Sequence, residues 1–343
     1  MRAAVTSGVR EMNLVDVPEP DEPGPGEVIV RPQAVGICGS DFHFFSGELD
    51  IFEGSPFPRV QGHEVGATIE AVGPDCGEQL RPGGRVALYP LSACGRCYPC
   101  SVGRGNVCDN FSLIGIHEDG GLQELLRLPA SQAFPISTEN PAVAALTEPV
   151  SIGVRAVHRA GITEGERVVI LGAGPIGQAV QVVASDHGAS TLLIDPLPSR
   201  LELGAAMGAE GIAWSERDEV VAAAREWAGG EGAPVVFDAT GAPQAIRAAV
   251  EIAASAGRVV VVGMSGEEVP LEVMAFTEKE LDVLGVSCCG GGEFAEAVDV
   301  VERHGVPLER WVSRRFELAE APAALEFAME HPTEVMKVVI GDA

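Results

Sequence analysis

The sequence predicts an α/β protein in which a doubly wound parallel sheet accompanies a second, β-rich domain. From about residue 163, short apolar segments alternate with segments of helical periodicity, which is typical of parallel strands joined by helices. The first 150 residues are instead rich in glycine and proline and contain short apolar or alternating runs, which indicates strands joined by turns. A length of 343 residues is enough for two such domains.

The individual elements follow one another in a regular order. In the β-rich part, the clearest strands are "EVIVRPQAV" and "HEVGATIEAVG". The strands of the parallel sheet are "RVVIL", "STLLID", "GIAWS", "PVVFDATG", "RVVVVGM" and "ELDVLGVSC". Helices are predicted between them at "IGQAVQVVASDHGA", "SRLELGAAMGA", "ERDEVVAAAREWAGG" and "PQAIRAAVEIAASAG". The tail departs from this alternation with a helix, "GEFAEAVDVVERHG", and a closing strand, "MKVVIG", that can rejoin the first domain.

Composition excludes several classes of function. The formal net charge is −27, and Lys279 and Lys337 are the two lysines among 23 basic residues. Such a chain lacks the basic face that nucleic acid or an anionic membrane surface requires. No run of eighteen apolar residues occurs and the first twenty residues lack the apolar stretch of a secretion signal, so we expect a cytoplasmic protein. The scarcity of lysine beside so many acids favours adaptation to high salt, which screens the repulsion among carboxylates.

A glycine-rich loop follows the first strand of the parallel sheet. Gly172, Gly174 and Gly177 form G-x-G-x-x-G, with Pro175 and Ile176 between the last two glycines. The motif alone is weak, but here it follows an apolar strand and opens a helix, which is the context that dinucleotide binding requires. The helix N-terminus would then face the pyrophosphate.

The second strand of that sheet ends at Asp195. A carboxylate at this position can accept hydrogen bonds from both ribose hydroxyls and would repel a 2′-phosphate, which favours NAD over NADP. Arg200, five residues later, could flank the adenine or accommodate a phosphate. The alternative is that Asp195 only caps a helix.

Four cysteines, Cys94, Cys97, Cys100 and Cys108, lie within fifteen residues. A disulfide framework is disfavoured because disulfides are rare in the cytoplasm, and an iron–sulfur cluster needs a different spacing. Four thiolates on short loops suit tetrahedral zinc, and with no open position such a site is structural.

A second group of reactive side chains comes earlier in the chain. Cys38 lies in "GICGSDFH", with Ser40 two residues later and His43 five residues later, and His63 follows in "GHEVG". A single cysteine is usually a small buried hydrophobic residue. Here the nearby Ser40, His43 and His63 indicate instead that Cys38 belongs to a reaction centre.

Five motifs occur along the chain in this order: "GICGSDFH", "GHEVGATIEAVG", "CGRCYPCSVGRGNVC", "TEPVSIGVRAV" and "GAGPIG". Together they make the sequence resemble the zinc-dependent medium-chain alcohol and polyol dehydrogenases over essentially its whole length. The resemblance implies a chaperonin-10-like (GroES-like) catalytic domain built from both chain ends, at residues 1–150 and 288–343. A Rossmann dinucleotide-binding domain would occupy residues 151–287. It also implies dimers or tetramers, and edge pairing through "ELDVLGVSC" is a plausible route to a dimer.

The resemblance also implies roles for particular residues. Cys38 and His63 match ligands of a catalytic zinc, and the remaining coordination involves Glu64, Glu148 or a water, which the sequence does not decide. Ser40 and His43 match a proton relay. Zinc with an open position would acidify the hydroxyl of a bound alcohol, and a nicotinamide would accept the hydride.

Three functions remain open from the sequence. The first is an NAD-linked zinc dehydrogenase acting on a secondary alcohol of a polyol, a sugar or a related hydroxy compound. The resemblance supports this substrate class because Glu148 stands where alcohol dehydrogenases use a sulfur as the third zinc ligand. The second is an activity like that of L-threonine 3-dehydrogenase. The third is a non-catalytic sensor that binds zinc and nucleotide, which has no need for the relay residues. Side chains that could wall the substrate pocket, or simply pack, are Phe44, Phe45, Leu49 and Phe52, and the stretch near Phe276 is a further candidate for a pocket-lining loop.

Overall fold

The computed structural model describes residues 1–47 and 57–341, so Leu49 and Phe52 lie outside the described residues. The chain forms two compact units. Unit 1 comprises Met1–Glu148 together with Gly290–Ala343, and unit 2 comprises Pro149–Cys289. The α/β class and the two kinds of domain predicted from the sequence are confirmed.

Unit 1 is the β-rich unit. Its strands are β1 (Arg2–Gly8), β2 (Glu11–Asp16), β3 (Glu27–Gly36), β4 (Arg59–Val60), β5 (Glu64–Val72), β6 (Arg85–Leu88), β7 (Leu91–Ser92), β8 (Ser112–Leu113), β9 (Leu126–Pro129), β10 (Ala133–Pro135), β17 (Val312–Phe316) and β18 (Lys337–Ile340). Its helices are α1 (Gly39–Ser46), α2 (Tyr98–Ser101), α3 (Pro141–Ala145), α10 (Gly291–Glu309) and α11 (Ala321–Glu330), and α4 (Thr147–Ala160) begins here.

The sheet that positions the site is built around β3. Its strand order is β10-β6-β5-β3-β18-β17, with β9 also paired to β3. β3 runs antiparallel to β5, and the register places Gly36 opposite Glu64. On its other side β3 pairs with β18, where Gly36 faces Val339. Buried valines and isoleucines of β3, β5 and β18, such as Val30, Ile69 and Ile340, hold these three strands in one hydrophobic core.

Unit 2 is the parallel-sheet unit. Its strands are β11 (Arg167–Leu171), β12 (Ser190–Asp195), β13 (Glu210–Ala213), β14 (Ala233–Asp238), β15 (Ala253–Val261) and β16 (Asp282–Gly285). Its helices, besides most of α4, are α5 (Pro175–Asp186), α6 (Pro198–Ala205), α7 (Arg217–Trp227), α8 (Pro243–Ile252) and α9 (Val273–Lys279). The order β13-β12-β11-β14-β15-β16, parallel throughout, is that of dinucleotide-binding α/β sheets, whose ligands bind at the carboxyl ends of the strands.

One helix of unit 2 ends earlier than the sequence predicts. Residues 253–257, expected to continue the helix, instead begin β15, where Ala253 pairs with Ala233. The reason is tertiary. Lys279 Nζ donates to the carbonyl oxygens of Val250, Glu251 and Ala253, which caps the end of α8 and frees the next residues for the sheet.

Candidate active site and metal centres

Helix α1 presents the cysteine that the sequence singles out. Cys38 is the N-cap of α1, and its backbone N–H donates to Asp41 Oδ2 at 2.9 Å, so a fully buried carboxylate holds the start of the helix. Ser40 and His43 lie three residues apart in α1, which places both side chains on one face of the helix.

The pairing of β3 with β5 brings the other predicted ligands to Cys38. Glu64 is the first residue of β5 and His63 directly precedes it, and Glu64 lies opposite Gly36, two residues before the cysteine. Gly36 is needed here because a Cβ atom at this position would lie 2.1 Å from Glu64 Oε2. The sulfur of Cys38, a ring nitrogen of His63 and a carboxylate oxygen of Glu64 all lie within 4.8 Å of one another.

The unsatisfied atoms of this group fit a cation. Glu64 Oε2 and His63 Nδ1 are buried and have no hydrogen-bond partner. Buried polar atoms in proteins are nearly always satisfied, so each such atom calls for a bound group. One sulfur, one imidazole nitrogen and one carboxylate oxygen form a donor set that suits catalytic zinc, with a position left for substrate.

Anionic groups dominate the electrostatics of the centre. Burial lowers the pKa of His63, but the Asp41 carboxylate at 3.8 Å, together with Cys38 and Glu148, raises that pKa well above its ordinary value. Burial raises the pKa of Asp41, and the positive His63 ring lowers it in part. Surroundings that favour a proton on the imidazole also favour a metal cation in place of that proton.

Glu148 lies in the first turn of α4 and belongs to the same charged environment. It is 9% exposed, and burial raises its pKa to about 7, with Glu64 contributing to the rise and His63 opposing it. The three donor atoms within 4.8 Å do not include a Glu148 oxygen. The geometry therefore groups Glu64, rather than Glu148, with Cys38 and His63.

Lys337 is a part of this centre that the sequence reasoning missed. It is 3% exposed on β18, and its Nζ donates to Glu64 Oε1 at 2.6 Å and to the Ile37 carbonyl oxygen at 3.1 Å. Burial lowers the pKa of Lys337, but the neighbouring Glu64, with Cys38 and Glu148, raises it overall. The available signal was its rarity, since it is one of two lysines in an acid-rich chain.

The second sulfur group forms a separate site in unit 1. The sulfurs of Cys94, Cys97, Cys100 and Cys108 lie within 4.8 Å of one another, and Cys97 Sγ is 3.4 Å from Cys100 Sγ. These distances exclude a disulfide and approach the separation of about 3.8 Å that a tetrahedral ion with bonds of about 2.3 Å gives its sulfurs. Backbone N–H groups of Arg96 and Cys97 lower the pKa of Cys94 to about 6, which favours the thiolate that binds metal.

In unit 2 the glycine loop joins β11 to α5. Gly172 has φ +92°, and a Cβ at Gly177 would lie 1.8 Å from the Gly172 carbonyl oxygen, so both positions require glycine. If a Cβ atom were added at Gly174, its nearest neighbour would be an Arg200 nitrogen at 3.9 Å, so there is space for a phosphate to approach the backbone. Pro175 and Ile176 form the first turn of α5, whose N-terminus faces that space.

Asp195 reaches this loop from the end of β12. Its Oδ2 accepts a hydrogen bond from the Ala173 N–H at 2.8 Å, and its Oδ1 accepts one from the Leu197 N–H at 2.9 Å. Arg200 Nη1 lies 3.8 Å from the same carboxylate. Asp195 therefore links the glycine loop to the start of α6, and is not a helix cap alone.

Comparisons with known proteins agree with this geometry. The family described as "Alcohol dehydrogenase GroES-like domain" matches residues 24–138, and "Zinc-binding dehydrogenase" matches residues 175–303. L-galactonate-5-dehydrogenase of Escherichia coli K12 is 33% identical, covering 93% of this chain and 92% of its own length. Sorbitol dehydrogenase of Bacillus subtilis is 30% identical, and the similarity covers 99% of this chain and 97% of that enzyme.

The chain belongs to the zinc-binding alcohol dehydrogenase family.

Solved structures of other dehydrogenases resemble this dehydrogenase throughout. A zinc-binding dehydrogenase from Sinorhizobium meliloti bound to NADP has a TM-score of 0.88 at 30% identity, covering 99% of this chain and 98% of the other. An alcohol dehydrogenase from E. coli CFT073 complexed with NADH has a TM-score of 0.87 at 30% identity, covering 99% of both chains. The present protein is accordingly a zinc-dependent, NAD(P)-linked oxidoreductase.

Three aromatic side chains from the segments considered for the substrate pocket of the dehydrogenase have packing roles. Phe45 is 2% exposed and lies in the hydrophobic core of unit 1. Phe44 is 5% exposed, and its ring meets Phe57 edge-on at 5.0 Å. Phe276 packs, partly buried, against the core of unit 2.

None of the helices of the dehydrogenase within residues 1–47 and 57–341 combines the length and the apolar character that a membrane crossing requires.

Proposed function

We propose that the protein oxidises a secondary alcohol of a polyol, a sugar or a related hydroxy compound to the carbonyl compound, with NAD as the preferred hydride acceptor. The observation that carries this proposal is the buried group of sulfur, nitrogen and oxygen donors from Cys38, His63 and Glu64 within 4.8 Å. The names of the sorbitol and L-galactonate dehydrogenases, to which the chain is similar over most of its length, support the substrate class.

The residues have distinct roles in this proposal. Zinc, when bound, acidifies the substrate hydroxyl, while NAD accepts the hydride. Cys38, His63 and Glu64 hold the metal, and Glu148 lines the same centre. Cys94, Cys97, Cys100 and Cys108 hold a second, structural zinc. Because thiols with such a role must stay reduced, we place the enzyme in the cytoplasm.

The proton released by the alcohol needs a route out of the centre. Ser40 Oγ lies 3.4 Å from His63 Nε2, so its hydroxyl stands beside the ligand group. Ser40 would take the proton and pass it toward the cofactor ribose, and the half-buried ring of His43, on the same face of α1, would release it to solvent.

Metal analysis and a substrate panel test the proposed function. Purified protein should contain about two zinc ions per chain, one for each donor group. It should reduce NAD in the presence of at least one of sorbitol, xylitol, galactitol, 2,3-butanediol or L-threonine, and less readily reduce NADP. Fully metallated protein that reduces neither cofactor with any alcohol would contradict the proposal and favour the non-catalytic alternative.

The preference for NAD is tested at Asp195. Replacing it by asparagine keeps an oxygen for the Ala173 N–H but removes the charge that opposes a 2′-phosphate. The loss of a charged hydrogen bond of about 1.5–3 kcal/mol should lower kcat/KM for NAD by roughly tenfold to a hundredfold, while kcat/KM for NADP rises. An unchanged ratio of the two kcat/KM values would show that Asp195 does not discriminate between the cofactors.

We propose that the protein forms at least a homodimer through β16. In the described chain β16 is the last strand of its sheet, and Val283 on it is 49% exposed. Met264, Val273 and Met274, in the segment between β15 and β16, are also exposed. An open edge with apolar side chains favours pairing with a second copy. Val283→Asp should convert the species seen by light scattering toward the 35.7 kDa protomer, and an unchanged mass would contradict this interface.

We also propose that the fold is adapted to high salt. Both lysines make internal hydrogen bonds, at the end of α8 and at Glu64, so neither moderates the acidic surface. With a net charge of −27, the melting temperature should rise by several degrees, on the order of 5 °C or more, between 0.1 M and 2 M KCl. A melting temperature that does not change would contradict the adaptation.

A further inference from the structure

One fully buried polar side chain contacts the glycine loop of unit 2 from within α5. Gln178 is 0% exposed and directly follows the last glycine of the motif. Its Nε2 donates to the Ala173 carbonyl oxygen at 3.3 Å and to the Arg200 carbonyl oxygen at 2.7 Å. Both acceptors lie outside α5, so this amide joins the helix to the glycine loop and to α6.

The orientation of the Gln178 amide is fixed by these two acceptors. Carbonyl oxygens only accept hydrogen bonds, and within a side-chain amide only the NH2 group donates them. An amide turned by half a rotation would instead place its own oxygen against both carbonyl oxygens. Gln178 therefore presents one N–H donor to the glycine loop and the other to α6.

The contact with the loop sets the direction of the peptide between Ala173 and Gly174. This peptide bond is trans, and in a trans peptide the C=O and the following N–H point in opposite directions. Because the Ala173 C=O is directed at the buried amide of Gln178, the Gly174 N–H points away from it. Among the described residues this N–H has no hydrogen-bond partner, so it is available to the oxygens of a phosphate.

Asp195 holds the other end of the same residue. It accepts a hydrogen bond from the Ala173 N–H at 2.8 Å and another from the Leu197 N–H, just before α6, at 2.9 Å. Gln178 makes the corresponding pair of contacts through carbonyl oxygens, at Ala173 and at Arg200 in the first turn of α6. Two buried side chains therefore fix Ala173 at both its N–H and its C=O, and hold the glycine loop against the start of α6.

Arg200 brings positive charge to the same loop. Its Nη1 would be the nearest atom, at 3.9 Å, to a Cβ atom added at Gly174. Since Gln178 binds the carbonyl oxygen of Arg200, it fixes the backbone from which this guanidinium group extends. One amide thus controls the position of a backbone N–H donor and of a cation, and both kinds of group bind phosphate.

We propose that Gln178 is a positioning residue for the pyrophosphate of the dinucleotide, because it aligns the Gly174 N–H and Arg200 before the cofactor binds. Donors that are already aligned bind more tightly, since less conformational freedom is lost on binding. The inference concerns the cofactor of the NAD(P)-linked reaction and is independent of which alcohol is oxidised.

Replacing Gln178 by methionine tests the role, with Gln181 as the matched control. Methionine has a similar length but no N–H donor. Gln181 lies three residues further along α5 and is also 0% exposed, and its Nε2 donates to Ser185 Oγ and to the Met207 carbonyl oxygen, both at 3.2 Å. Neither acceptor belongs to the glycine loop. Gln181→Met therefore removes a comparable buried amide, and thermal unfolding of the cofactor-free protein measures the loss of stability that the two variants share.

Titration with NADH, followed by the fluorescence of the bound nicotinamide, provides the first readout. We expect Kd for NADH to rise about tenfold in Gln178→Met and to change by less than about twofold in Gln181→Met. Displacement of NADH by ADP-ribose, which contains the pyrophosphate, and by adenosine, which lacks it, provides the second readout. In Gln178→Met the affinity for ADP-ribose should fall about tenfold, while that for adenosine changes by less than about twofold.

Three outcomes would overturn the inference. They are an unchanged Kd for NADH in Gln178→Met, equal weakening of NADH binding in the two variants, and equal weakening of ADP-ribose and adenosine. If Gln178→Met does not fold, Gln178→Asn, which keeps the amide but shortens its reach by one methylene, is measured in the same titrations against the same criteria. None of these titrations contains an alcohol, so failure of this inference is distinguishable from failure of the proposed function.

Discussion

Replacing Cys38 by serine is expected to lower turnover by about a thousandfold or more, because the substrate hydroxyl loses the acidification that zinc supplies. Zinc content should fall from about two ions per chain to about one, since the four cysteines of the second site are untouched. NADH binding should change little, because the glycine loop and Asp195 lie in unit 2. Metal analysis, steady-state rates and NADH titration measure the three quantities on one preparation.

Cys76 provides the matched control for this change. It is a half-buried thiol of the same unit, hydrogen-bonded to the Glu27 carbonyl oxygen at 3.3 Å. Cys76→Ser should retain both metals and near-normal turnover. If Cys38→Ser behaved like Cys76→Ser, the reaction would be that of a zinc-free reductase.

Replacing Lys337 by methionine is expected to be the most destabilising single change at the centre. It leaves the Glu64 carboxylate buried without its ammonium partner, and breaking a buried ion pair in this way costs about 3–5 kcal/mol. Thermal unfolding of all variants is measured after zinc has been removed, so that no metal replaces the ammonium group beside Glu64, and Lys337→Met should show a lowered melting temperature. Adding Glu64→Gln to Lys337→Met should recover part of the loss, because the amide carries no charge, and a double-mutant cycle measures that coupling.

Lys279 is the matched control for Lys337. Its ammonium group donates to three carbonyl oxygens at the end of α8 but is partly exposed, and within residues 1–47 and 57–341 it has no buried carboxylate partner. Lys279→Met should therefore cost less than Lys337→Met. Equal effects of the two substitutions, or no recovery with Glu64→Gln, would show that the Lys337–Glu64 pair is not what stabilises the centre.

Features governed by local sequence were predictable. The apolar run "STLLID" is β12 residue for residue, because a fully buried parallel strand is a continuous apolar run and Asp195 marks its end. The glycine loop was equally predictable, since positive φ and close approach of backbone restrict those positions to glycine. The resemblance to zinc dehydrogenases is confirmed by the family matches.

Features that depend on distant parts of the chain were not predictable. Lys337 is 273 residues from Glu64 in sequence, and only the pairing of β3 with β18 shows that they meet. The early start of β15 depends on Lys279 and on its neighbour β14, which override the helical preference of its alanines. The sequence also left the choice between Glu64 and Glu148 open, because it takes the register of β3 against β5 to group Glu64 with Cys38 and His63.

The place of β18 in the chain has a consequence for biosynthesis. Domains generally fold as units while the ribosome is still elongating the chain, so the parallel-sheet unit, complete at residue 289, can form first. The edge of β3 that pairs with β18 stays open until residues 337–340 have been synthesised, and the ammonium group of Lys337 that neutralises Glu64 arrives with them. Metal loading at the cysteine–histidine site should therefore be a late event, completed only after Lys337–Ile340 have been synthesised and have paired with β3.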